Sequence, residues 1–145
     1  MTNKEAQNQA AAYLSKYKSA QGEVQDIERR IERIRDQMMG VKGIDYTDGD
    51  MPKTRDVERD LSDYVAKIDD MIRDWKMAQL RALELMREIS DTINGVEHDQ
   101  ARRVLMLHFV DGYTFEKIAD IISCEISSVF RWRRIGLKEV AIKYQ

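Results

Sequence analysis

FVDGYTFEKIADIISCEISSVFRWRRIGLK, residues 109–138, holds two helical periods separated by residues that favour turns. Asp111-Gly112 breaks a helix expected over about 100–110. Thr114 stands where a hydroxyl caps the next helix, expected over 114–122, and Glu116 complements that helix's dipole. Ser123-Cys124-Glu125 makes a three-residue turn into a longer helix that reaches about residue 142. Val104, Leu105, His108, Phe115, Ile118, Ala119 and Ile122 fall inward as the core of three helices. Ala119, small and mid-helix, is expected to let the last helix cross closely.

Along the last helix, Ser127, Arg131, Arg134 and Lys138 recur at steps of four, three and four, which places them on one line at 3.6 residues per turn. Val129, Trp132, Gly136 and Val140 take the opposite side. One face packs, and the other is free to meet a partner. Charge follows the same division: residues 1–100 hold 16 basic and 21 acidic side chains, whereas residues 101–145 hold 8 basic and 5 acidic ones. The net charge of −2 therefore conceals a basic end.

Working back from this module, Gly95 is expected to stop the preceding helix in a left-handed conformation, and Asp99 to cap the next one. Two long amphipathic series come before. Ala10, Tyr13, Tyr17, Ala20, Val24, Ile27, Ile31, Ile34 and Met38 alternate steps of three and four over residues 4–40, which is a heptad seam. Val57, Leu61, Tyr64, Ile68, Met71, Trp75, Ala78, Ala82, Leu85 and Ile89 do the same over about 55–94, with Val65, Ile72, Met86 and Ile93 widening the apolar face. Gly, Asp and the one Pro concentrate between them, so the chain is expected to turn over about 40–54. The expected class is all-α. Residues 1–97 form an antiparallel coiled-coil hairpin, and residues 98–145 form a helix-turn-helix module. The seam makes a homo-oligomer the expected assembly.

Composition excludes several classes. With 145 residues, 43% hydrophobic and 34% charged, the chain has room for one or two small helical units. No apolar run reaches the roughly 18 residues of a membrane span, and MTNKEAQNQA lacks a secretion signal's apolar core, so a cytoplasmic location is expected. Cys124 is the sole cysteine and is read as inert packing. Two histidines and one thiol fall short of a zinc ligand set, and Asp45, Asp48 and Asp50 lack EF-hand spacing, so no metal or other cofactor is expected. His98 and His108 have no paired acid at motif spacing, Trp132 reads as a core anchor, and the chain is not read as an enzyme.

Arg103-Val104-Leu105, then Phe109-Val110-Asp111-Gly112-Tyr113-Thr114-Phe115-Glu116-Lys117-Ile118-Ala119, then Ser127-Ser128-Val129-Phe130-Arg131 resemble region 4 of bacterial sigma factors over about a third of the chain. The long front half, with Met51-Pro52-Lys53 and Asp60-Leu61-Ser62-Asp63-Tyr64, resembles sigma-like late-gene activators of Gram-positive phages, of the RinA and ArpU type. The resemblance implies a transcription regulator that binds double-stranded DNA in the host bacterial cell through its last helix and controls late or packaging genes. Two departures stand out: Ser123 occupies the turn position usually filled by Gly, and Glu125 the usual capping Ser or Thr. Nothing matches the core-polymerase-binding or −10 regions of a full sigma factor.

On this reading Ser127 and Ser128 meet backbone phosphate at a helix N-terminus, and Arg131 reads a guanine edge in the major groove. Arg134 and Lys138 hold phosphates, while Phe130 either touches a thymine methyl or shields the core edge. Two other readings stay open: a small terminase subunit on packaging-site DNA, and a coiled-coil adaptor that contacts host RNA polymerase.

Overall fold

The computed structural model describes residues 2–42 and 54–144. Every regular element among them is helical, in line with the expected all-α class: α1 (Asn3–Leu14), α2 (Lys16–Lys42), α3 (Thr54–Asn94), α4 (Asp99–Leu105) continued by one π-helical turn (Met106–Val110), α5 (Phe115–Ile122) and α6 (Ile126–Lys143). Of the turn expected over about 40–54, residues 43–53, with its three aspartates, lie outside the described residues, while α2 continues to Lys42 and α3 begins at Thr54. The chain gathers into two compact units, one drawn from Met1–Gln21 and Arg81–Gln145, the other from Gly22–Leu80.

The Gly22–Leu80 unit buries Val24, Ile27, Ile31 and Ile34 of α2, and Ile68 and Ala78 of α3. These recur three or four residues apart because only one stripe of each helix leaves water. The Trp75 indole donates to the Glu28 carboxylate at 3.0 Å. Arg29–Asp26 and Arg73–Asp70 are ion pairs between exposed neighbours on one helix, an arrangement that contributes little singly. Val65 departs from expectation: it is 49% exposed. It follows Tyr64 by one residue, which turns it about 100° away from the buried line.

In the unit built from both chain ends, α1 packs against α6. Ala10 and Leu14 of α1 join Ile89, Ile93, Val96, Ala101, Leu105, Phe109, Leu137, Val140 and Ala141 in one core. A second core gathers Val104, Ile118, Ala119 and Val129, with Cys124 packed at its edge, and Trp132 touches both cores. Helices α4 and α6 approach closely at Gly136, where a Cβ would lie 2.7 Å from Leu105 Cδ1 and 3.4 Å from Ala101 Cβ. Gly136 is therefore what lets α6 cross α4, while Ala119 of α5 is buried in the second core with Val129 of α6.

Local chemistry explains three departures from the sequence reading. The helix expected to run unbroken over residues 4–40 is interrupted at Ser15, whose hydroxyl donates to the Ala11 carbonyl at 2.7 Å and shares it with the Ser15 amide at 3.0 Å. Gly95 is not left-handed; among the described residues only Gly112 and Ser123 have positive φ. A Cβ at Gly95 would sit 3.1 Å from the Tyr144 hydroxyl, so close packing is what favours a glycine there. His98 caps α4 in place of Asp99: its Nδ1 accepts from the Ala101 amide at 3.1 Å, while Asp99 pairs with Arg102 at 2.8 Å.

The end of α6 is clasped to the α3–α4 connection. The Glu97 amide donates to the Glu139 carboxylate at 2.6 Å, and the Lys143 ammonium donates to the Gly95 carbonyl at 2.6 Å and pairs with Glu139 at 3.3 Å. Burial opposes ionisation of Glu139, but the Glu97 amide and the Lys143 ammonium outweigh it and hold the carboxyl below its usual range. The far half of α6 is thus fixed by α1 on one side and by this clasp on another.

Candidate nucleic-acid interface

The start of α6 is set by Ser123 and Glu125. Thr114 caps α5, accepting from the Lys117 amide at 3.2 Å, and α5 ends at Ser123 with φ 59° and ψ 52°. A side chain in that left-handed region costs roughly 1–2 kcal/mol, which is why Gly is the easier residue there. The turn closes with the Cys124 amide donating to the Ala119 carbonyl at 3.0 Å. Glu125 then takes the extended conformation of a cap, but its side chain makes no capping bond. The Ser128 amide is already engaged, donating to the Glu125 carbonyl at 3.0 Å.

From that start the helix presents the expected line. Ser127, Arg131, Arg134 and Lys138 are exposed, whereas Val129, Gly136 and Val140 are buried and Trp132 is half-buried. Among the described residues no carboxylate lies within ion-pair distance of Arg131, Arg134 or Lys138. Three exposed cations thus lie along the helix without an ion pair to a described residue. Ser128 is half-buried, one step off the line. Phe130 is 39% exposed and packs on Phe115 with ring centroids 4.9 Å apart, so it guards the core edge while keeping an open flank. The Arg131 guanidinium lies 5.7 Å from the Trp132 ring centre. Lys138 shares a cleft with Thr2, Asn3, Ala6 and Gln7, which puts the beginning of α1 at the far end of the line.

Two residues that sequence reasoning left without a role here stand out. Arg133, one step from the line, is half-buried with its guanidinium 5.8 Å from the Phe115 ring centre. His108 stacks on Phe115 at 4.3 Å, and its Nδ1 lies 3.0 Å from the Tyr113 carbonyl. Burial holds the His108 pKa below the usual imidazole value; the hydrogen bond to the Tyr113 carbonyl opposes this, and the positive charges of Arg133 and Lys18 add to it. Burial likewise lowers that of Arg133. The basic count of residues 101–145 already included Arg133, but its placement beside Phe115 of another helix was not readable from that count.

Among the described residues no group of His, Cys, Asp or Glu side chains converges as a metal site, and no helix is long and apolar enough to cross a membrane. Compared with known proteins, the chain matches no family model, no curated protein and no solved structure.

Proposed function

We propose that this protein is a sequence-specific DNA-binding transcription regulator of phage type, acting in the host cytoplasm on late or packaging genes. In this reading α5, its turn and α6 work as a helix-turn-helix. The observation that carries it is the open line of Ser127, Arg131, Arg134 and Lys138 on a helix whose other side is locked into two cores. A rigid rod with unpaired guanidinium and ammonium groups suits a duplex groove, where held cations displace counterions and a guanidinium can bond two acceptors of guanine. Ser127 and Ser128 position the helix on phosphate, Arg131 reads a base, Arg134 and Lys138 hold the backbone, and Phe130 lies against the groove edge. The heptad-patterned α2 and α3 form a coiled-coil hairpin that joins copies of the chain, since one module of this size needs a second to bind tightly.

Recovery of the full chain from host cells with its crosslinked DNA tests the reading. Enrichment of promoter-proximal sites is expected. Enrichment beside a packaging origin would instead make the protein a small terminase subunit, and recovery of RNA polymerase without any preferred DNA would make it an adaptor.

A further inference from the structure

The open line of α6 ends beside another helix. One step of four beyond Lys138 stands Ile142, 80% exposed, while Lys143 is turned to the Gly95 carbonyl and Glu139. Lys138 and Ile142 line one side of a cleft of about 400 Å³, and Thr2, Asn3 and Gln7 from the beginning of α1 line the other. Both sides belong to the same compact unit, in which α1 packs on α6. The carboxylates nearest in sequence are engaged elsewhere: Glu5 accepts from the Thr2 amide at 3.2 Å, and Glu139 from the Glu97 amide at 2.6 Å. The Thr2 hydroxyl is taken by the Glu5 amide at 3.2 Å. Asn3 and Gln7, one helical turn apart, have side-chain amides with no hydrogen-bond partner among the described residues, and Lys138 has no ion pair there. The cleft therefore offers an ammonium and two carboxamides as donors, next to one exposed apolar side chain. A sugar–phosphate strand has the matching chemistry, since phosphate oxygens accept and the deoxyribose ring is largely apolar.

We propose that the beginning of α1 is a second part of the DNA interface: the duplex strand flanking the groove lies in this cleft, its phosphate held by Lys138, Asn3 and Gln7 and its sugar against Ile142. The inference rests on the DNA reading above and extends it to a helix that lies outside the helix-turn-helix. Length supports the placement. Ser127 to Lys138 spans roughly 16 Å at 1.5 Å per residue, longer than the major groove's width of about 12 Å, so with Arg131 in the groove the Lys138 end reaches the flanking backbone. There α1 supplies the donors that α6 no longer presents, because Lys143 is committed to the clasp.

The test measures binding of the full chain to a duplex carrying a recovered genomic site, across a range of salt concentrations, with the charge at exposed Asn3 varied. Asn3→Lys adds a cation to the cleft: affinity is expected to rise about threefold, and the slope of log affinity against log salt to steepen by about one. Asn3→Asp separates binding from folding. An acid in the first turn of α1 favours the helix, so this variant is expected to melt no lower than the unaltered chain, yet to bind the duplex about threefold more weakly. If position 3 acted only through the stability of α1, affinity would follow melting. Asn8→Lys, exposed on the same helix about 140° round from Asn3, is the control and is expected to leave the slope unchanged. An unchanged slope for Asn3→Lys overturns the proposal, as does equal steepening by Asn8→Lys, which marks attraction by net charge alone. In either case weaker binding by Arg131→Ala still upholds the DNA reading. Absence of any duplex binding by the unaltered chain overturns both, so the two failures are told apart.

Discussion

The two compact units bury their apolar residues by different rules. Within Gly22–Leu80 the buried side chains follow a single local repeat, Val24 to Ile34 on one helix and Ile68 to Ala78 on another, and most other side chains there stay in water. In the unit drawn from both chain ends, Leu14, Ile89, Leu105 and Leu137 meet from positions far apart in sequence, and each is at most 1% exposed. The first arrangement tolerates change because each layer of a repeat is backed by the next. The second depends on individual fits, and it is the one that holds the proposed DNA-contacting helix in place.

The largest expected effect lies at the tightest fit. Gly136→Ala puts a methyl 2.7 Å from Leu105 Cδ1, with the Leu105 Cγ at 3.0 Å, and the core has little room to give. Overpacking of this kind costs about 1–3 kcal/mol, and Leu105→Ala, by emptying a fully buried position, costs about 2–5 kcal/mol. Urea melts of the two variants measure this. Ile31→Ala within Gly22–Leu80 is expected to cost less than Leu105→Ala; the opposite order would break the contrast between the units.

A gain of about 1 kcal/mol is expected from Ser123→Gly, which relieves the left-handed residue before α6. Glu125→Ser is expected to add a comparable amount by supplying the missing cap. Thermal melts check both.

Smaller again is the response to acid. Glu139 ionises below its usual value in the folded chain, so its contribution to stability is complete above the unfolded carboxylate range and fades as pH falls through the folded value. His108 acts in the same sense: its folded pKa lies below 6.5, so the unfolded chain takes up the proton first and stability falls as pH drops below about 6.5. Denaturation midpoints measured from pH 7.5 to 4 should therefore decline in two stages. Glu139→Gln removes the lower stage, and His108→Gln the upper one. The least effect belongs to Val65→Glu, expected within about 0.5 kcal/mol of neutral because the side chain is already half in water.

Much of the helical framework was legible because its signals are local. Asp111-Gly112, the Thr114 cap and the turn at residues 123–125 each act on their immediate neighbours, and they bracket α5 and α6 where the structure has them. What sequence reasoning missed depends on distant partners or on a contest between two local bonds. Gly95 looked like a left-handed stop, yet its smallness answers to Tyr144, 49 positions away. Asp99 looked like a cap, but His98 took that place and left Asp99 to Arg102. Leu14 lies off the three-four series read from the sequence and is fully buried because α6 covers that side of α1. For the site, periodicity sufficed to separate the exposed line from Val129, Gly136 and Val140. It had no means of showing that Arg133 is tucked against Phe115 with an orphaned N–H, since that follows from how α5 packs on α6.

The central claim, that the Ser127–Lys138 line meets a duplex, is tested most directly by the salt dependence of binding to a recovered genomic site. For the unaltered chain, affinity should fall steeply as salt rises. Lys138→Ala should flatten the slope of log affinity against log salt by about one, and Arg131→Ala should cost roughly 1–3 kcal/mol and narrow the gap between the recovered site and unrelated DNA. Equal slopes and equal affinities across the three proteins would contradict the account.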